Sequence, residues 1–260
     1  FYNYGNSDMA LGYTFQPYSR LISWDDTYRD YYTIDVNTGE RKQLLKKHQS
    51  SAKLSPTGKY LLWYLTADSS WYATDVASGN VVSLTKDLPY NFYYELNDVP
   101  QLPGNYGIAG WTEDERYVLI NDRYDIWKFD QEGREKPFRI TDGFGRENNI
   151  WLNYIKMDNE NPYVEDEMML YAFDDDDKSS GLFKSGYGKA EKPKELVMED
   201  ARFQNIKKAD DADKLIWFKG SLDQYPELYW SNTDIDAPVK ITNLDRQRDK
   251  FLWGDVQLVN

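Results

Sequence analysis

Apolar residues in this chain come in short runs, and polar clusters rich in Gly, Pro, Asn and Asp separate them. One phrase recurs: YYTIDVNTG at 31–39 and WYATDVASG at 71–79, forty residues apart, with a looser copy, DIWKFDQEG, at 125–133. Each is an aromatic and β-branched run that ends in a turn cluster with Gly, the pattern of a strand entering a hairpin. A further strand-like run follows each turn: RKQLL (41–45), NVVSLT (80–85) and KPFRIT (136–141). Upstream of two of them lies a second shared phrase. LSPTGKYLLWYL (54–65) and WTEDERYVLIN (111–121) both place a polar turn before a Tyr-led apolar strand. IKKADDADKLIWF (206–218) keeps the order with an acidic turn, and YIKMDNENPYVEDEMMLYAF (154–173) stretches the connection.

Assembled, these phrases predict repeating units of four consecutive antiparallel strands. The units run about 12–45, 51–85, 107–141, 150–198 and 203–242, the first opening on a weak strand. FLWGDVQLV (251–259) would begin a sixth unit or return to complete the first. No window holds apolar residues at helical spacing. The predicted fold is all-β, a β-propeller of about five four-stranded blades plus partial terminal strands, within one domain over 1–260. Stacking buries both faces of each small sheet, which explains why Trp63, Trp71, Trp111, Trp127, Trp151, Trp217 and Trp230 all fall on predicted strands. A β-sandwich is the alternative, but it does not predict so regular a repeat.

Composition narrows the function. Lys and Arg number 31 against 44 Asp and Glu, a net charge of −13, whereas a nucleic-acid binder needs a basic face. No run approaches the roughly 18 apolar residues of a membrane-spanning helix. Zero cysteines remove disulfides, thiol catalysis and cysteine-based zinc sites. An acidic, cysteine-free chain rich in Tyr and Trp suits an exported bacterial protein. The start at FYNYGNSDM and the end at VQLVN lead us to expect a piece of a longer protein.

The stretch YGIAGWTEDERYVLINDRYDIWKFDQEG (106–133) resembles the propeller of the prolyl oligopeptidase family of serine peptidases, in particular its bacterial dipeptidyl-peptidase-like members. WGDVQLV (253–259) is similar to the strand that leads from propeller to catalytic domain in such enzymes, and LSPTGKYLLWY (54–64) fits a repeat style shared with TolB-like propellers. The resemblance implies an α/β-hydrolase domain with a Ser–Asp–His triad, and a propeller that restricts access to it. The chain has no G-x-S-x-G elbow, and its one histidine, His48 in KKHQSS, reads as a solvated loop residue. The chain by itself is therefore expected to be non-catalytic, with no cofactor and no metal.

The distinctive connection is KDLPYNFYYELNDVPQLPGNY (86–106), long where blade-to-blade links are usually short. Family resemblance implies that a propeller carboxylate pair there binds a substrate's free amino terminus, and charge-assisted hydrogen bonds suit that task. The matching acids are Glu95 and Asp98, three residues apart rather than adjacent, with Asp122 and Arg123 in a neighbouring turn as helpers. DDDD at 174–177 and ADDAD at 209–213 lack the spacing of a calcium loop and read as solvated turns. The predicted innermost strands SAKL, YGIAGW, WLNYI and FQNIK contain no acid, which counts against a glycosidase with paired carboxylates. The leading expectation is thus a peptidase propeller whose partners are peptide substrate and a hydrolase domain. The alternative is a free-standing TolB-like binding or scaffold propeller, and a propeller glycosidase is the weakest reading.

Overall fold

A computed structural model of the protein describes residues 5–252 and residue 254. The chain is all-β, with five sheets of three or four antiparallel strands in sequential order, the blade pattern of a β-propeller. The first sheet holds β1 (Met9–Thr14), β2 (Arg29–Asp35) and β3 (Arg41–His48). The second holds β4 (Ala52–Leu54), β5 (Tyr60–Leu65), β6 (Ser70–Asp75) and β7 (Val81–Ser83). The third holds β8 (Ile108–Trp111), β9 (Tyr117–Asn121), β10 (Ile126–Asp130) and β11 (Phe138–Arg139). Then come β12 (Ile150–Ile155), β13 (Glu167–Asp174), β14 (Ser180–Gly186) and β15 (Lys194–Glu199). The last sheet holds β16 (Arg202–Lys208), β17 (Leu215–Gly220), β18 (Glu227–Ser231) and β19 (Val239–Lys240).

The recurring phrase has a chemical cause. In the first copy the Asp35 carboxylate accepts the N–H groups of Asn37 and Thr38 at 2.9 and 3.0 Å, and Gly39 takes φ +73°. In the second, Asp75 accepts the Ser78 N–H and hydroxyl at 2.7 Å, and Gly79 takes φ +80°. In the third, Asp130 accepts from Glu132 N–H at 3.0 Å ahead of Gly133 at φ +69°. The aspartate organises the turn, and the glycine occupies the left-handed region that a side chain resists.

The same comparison corrects the reading of the first unit. The Val36 N–H donates to Asp8 O at 2.8 Å as Val76 N–H donates to Lys59 O at 3.0 Å and Gln131 N–H to Arg116 O at 3.0 Å. Strand β1 therefore corresponds to β5 and β9, the second strands of their units. It is not a weak first strand. Among the described residues the first sheet has no counterpart of β4. The strand expected at 251–259 lies mostly outside the described residues.

The chain folds into two compact units: one reaching to Arg123 with Trp127–Phe138 and Pro162–Val164, the other made of Tyr124–Ile126, Arg139–Asn161 and the chain from Glu165 onward. The core of the first gathers Leu62, Tyr64, Trp71, Phe92, Trp111 and Trp127. That of the second gathers Met169, Leu182, Phe203, Leu215 and Trp217. All seven tryptophans expected on strands lie on them. Burial of this aromatic area, at roughly 25 cal/mol per Å², is the main stabilising contribution.

Two local expectations need correction. His48 is not solvated. It closes β3 with 4 % exposure, edge-on to Tyr31 and Trp63 at 6.0 and 5.5 Å between ring centres. Burial first, and the Arg29 charge second, lower its pKa to about 4. A short helix, α1 (Phe144–Glu147), was also not foreshadowed by periodicity. It depends on one buried acid: Asp125 accepts the Thr141 hydroxyl at 2.6 Å and the N–H groups of Gly145 and Arg146 at 3.1 and 3.2 Å. The run 174–177 turns from β13 into β14, as read, and 209–213 joins β16 to β17.

Candidate functional site

The connection 86–106 is anchored before it is exposed. Phe92, 1 % exposed, packs its ring against Trp127 and Phe129 at 5.8 and 5.7 Å. Tyr93 then bridges antiparallel to Asn105, and Tyr94 N–H donates to Gly104 O at 2.8 Å. These contacts close 93–105 into a hairpin-like excursion. Its far turn is tied by the Asn97 amide, which donates to the carbonyls of Val99 and Gln101 at 3.0 and 2.9 Å.

Glu95 sits at the base of this excursion. Its N–H donates to the Tyr106 hydroxyl at 2.7 Å, and its Oε1 accepts from the Asn91 amide at 3.0 Å. Its Oε2 lies 3.9 Å from Nη1 of Arg123, and both side chains are 19 % exposed. Tyr94 packs edge-on to Tyr106 at 5.7 Å. Burial pushes the Tyr106 hydroxyl up to about 12, so it stays protonated at neutral pH, where it accepts the Glu95 N–H. Backbone and side chain of Glu95 are thus held while one carboxylate edge has only a long ion pair.

The structure separates the four residues singled out from the sequence. Glu95 and Arg123 come together from the 86–106 connection and the turn between β9 and β10. Asp98 is exposed on the far turn of the excursion. Asp122 is 3 % exposed and accepts from the Trp127 indole N–H at 2.9 Å, so its carboxylate holds a core ring. Asn91 and Tyr106 were missed. Both flank the acid in sequence, but only folding of the excursion brings an amide four residues back, and a hydroxyl eleven residues ahead, onto Glu95.

Among the described residues no group of three or more His, Asp or Glu side chains could hold a metal ion, and no helix is long and apolar enough to cross a membrane. The arrangement can bind: it offers a positioned carboxylate, a guanidinium beside it and two tyrosine rings.

No protein-family profile matches the sequence, and no curated protein matches it. Solved structures do. A Bacteroides ovatus protein assigned as a dipeptidyl aminopeptidase IV superposes with a TM-score of 0.55 at 12 % identity, over 83 % of this chain and 32 % of its own length. Porphyromonas gingivalis dipeptidyl peptidase 4 gives 0.54 at 13 % identity, over 83 % and 36 %. TolB from Acinetobacter baumannii gives 0.40 at 14 % identity, over 84 % and 50 %. The chain spans about a third of the length of the two peptidase structures. At such identities the two peptidase superpositions show the fold alone, a β-propeller.

Proposed function

We propose that this chain is a binding propeller, which recognises a protein or peptide segment and breaks no bond itself. The observation that carries the reading is the Glu95 site. Glu95, held at its carboxylate by Asn91 and at its backbone N–H by Tyr106, meets its cation at 3.9 Å, longer than the ~2.7–2.9 Å of a charge-assisted hydrogen bond. An incoming ammonium or guanidinium on the partner can therefore displace or bridge the Arg123 contact. The role is that of a scaffold or recognition module in an exported bacterial protein. Immobilised chain should retain peptides with a free amino terminus or basic side chain, and Glu95→Gln should weaken retention about tenfold with an unchanged melting curve. Retention that is absent, or indifferent to Glu95→Gln, overturns the reading.

A second reading is favoured by the superposition of 83 % of the chain on about a third of each dipeptidyl-peptidase structure. In it the chain is the propeller of a prolyl oligopeptidase-type serine peptidase. It gates access to an α/β-hydrolase domain elsewhere in the longer protein, and the triad of that domain performs the acyl transfer. Glu95 holds the substrate amino terminus with help from Asp98 on the flanking turn, Arg123 orients Glu95, and Asp122 braces the turn through Trp127. The product of the whole gene would then release dipeptides from chromogenic substrates, and Glu95→Gln would raise KM with little change in kcat. A gene product without peptidase activity, or cleavage equally fast on N-acetylated substrates, removes this reading and leaves the first standing.

A further inference from the structure

A second concave site lies wholly inside the second unit, at the end of its two sheets where β13 turns into β14 and β17 into β18. Its volume is about 820 Å³, within the ~300–1,000 Å³ typical of pockets for drug-sized ligands. The backbone creates it. Ala201 N–H donates to Glu199 O at 2.7 Å, so the link from β15 to β16 is too tight to cover the adjoining sheet. On the opposite wall the turn 221–226 folds back on Gly220, where a Cβ would come within 2.8 Å of Pro226 Cα. What stays uncovered is a half-buried aromatic floor, Tyr171 and Phe173 from β13, walled by Pro226 and the exposed Leu222.

The polar groups around this floor divide into committed and uncommitted. Lys178 donates to Asp175 O and lies over the Phe173 ring. The Ser180 hydroxyl donates to Ala201 O at 2.5 Å, and Asp177 accepts the Ser179 N–H at 2.8 Å. The Ser221 hydroxyl donates to Asp223. Arg202, exposed, and Gln204, half-buried, lie on the side of β16 opposite the core residue Phe203 and line the same space, and among the described residues neither side chain has a hydrogen-bond or ion-pair partner. The Arg202 guanidinium beside the half-buried Tyr171 and Phe173 rings is a local cation that an anionic ligand can pair with, although the protein as a whole carries a net charge of −13.

We infer that this cleft binds the carboxy-terminal end of a peptide whose last side chain is apolar or aromatic. The terminal carboxylate takes the planar fork of Arg202, a bidentate match of shape and charge. The Gln204 amide, two residues along the same strand, reads the preceding peptide group. The last side chain lies on Tyr171 and Phe173 against Leu222 and Pro226. The acids Asp177, Asp200 and Asp223 line the same cleft and repel negative charge beyond what Arg202 neutralises, so a single carboxylate is preferred to a phosphate or an acidic tail. The inference is independent of the Glu95 site, which lies in the other unit.

The test is titration of the 260-residue chain with N-acetyl-Ala-Ala-Phe as the free acid and as the C-terminal amide, by calorimetry or by NMR. The free acid should bind at least about tenfold more tightly than the amide. Arg202→Gln, an exposed substitution, should erase that difference while leaving the circular-dichroism melting curve in place, and Glu95→Gln should leave it intact. Equal affinity for acid and amide overturns the inference. So does an unaltered preference in Arg202→Gln, or the absence of binding by either peptide to folded protein.

Discussion

Two glutamates of the first unit teach what separates a structural acid from a recognition acid. Glu115 lies in the turn between β8 and β9, 3 % exposed, in the left-handed region at φ +51°. Its carboxylate accepts the Ser55 and Thr57 hydroxyls at 2.6 and 2.7 Å, the Thr57 N–H at 2.6 Å and the Tyr163 hydroxyl at 3.3 Å. Its carbonyl accepts from the Gln131 amide at 2.6 Å. The turn of the third sheet is thereby bolted to the turn of the second, and no lone pair remains to offer a ligand. Glu95 has one amide donor and a 3.9 Å cation. The first acid is consumed by the fold. The second is only positioned by it.

The largest expected effect breaks the first side of this comparison. Glu115→Ala leaves several buried donors without an acceptor and should lower the unfolding free energy by about 4 kcal/mol in chemical denaturation. Glu95→Ala, which loses a partly exposed long pair, should cost less than about 1 kcal/mol. Similar losses from the two would erase the distinction. Next comes a buried base. The folded pKa of His48, about 4, lies below its unfolded value near 6.5, so the unfolded chain binds the extra proton between them. The neutral imidazole's contribution is complete above pH ~6.5 and is lost as pH falls toward 4. That loss is worth about 3 kcal/mol. Denaturation at stepped pH should show this slope in the wild type and its reduction in His48→Phe. A difference curve flat over the window would show that His48 protonates without penalty. The last prediction sharpens the other side: Arg123→Gln removes the guanidinium beside Glu95 and should alter retention of amine-bearing peptides, compared with wild type at equal folded fraction; unchanged retention would show that the guanidinium does not tune Glu95.

How far the sequence was legible follows from the range of the interactions involved. Asp35 and Gly39, or Asp75 and Gly79, act within a single turn, so the repeated phrase announced its hairpins, and the Tyr-led runs announced their strands. The rank of β1 was misread because MALGYT lacks the Tyr-led signature of β5 and β9, and only the Val36–Asp8 hydrogen bond assigns it. Helix α1 was invisible because its support, Asp125, precedes it by about twenty residues. At the site, Glu95 was conspicuous as an acid in a long connection. Asp122 carried the same chemistry, and nothing in its neighbours announced that it would turn to Trp127.

Local pattern, then, was enough to determine an all-β chain of small antiparallel sheets, because alternation and turn chemistry act over a few residues. Tertiary structure alone decided which polar groups are used up and which are left to work. Ser55 reaches Glu115 across sixty residues, and His48 meets Trp63 across a sheet boundary. Whether a charge is satisfied depends on partners that only folding brings within a hydrogen bond's length.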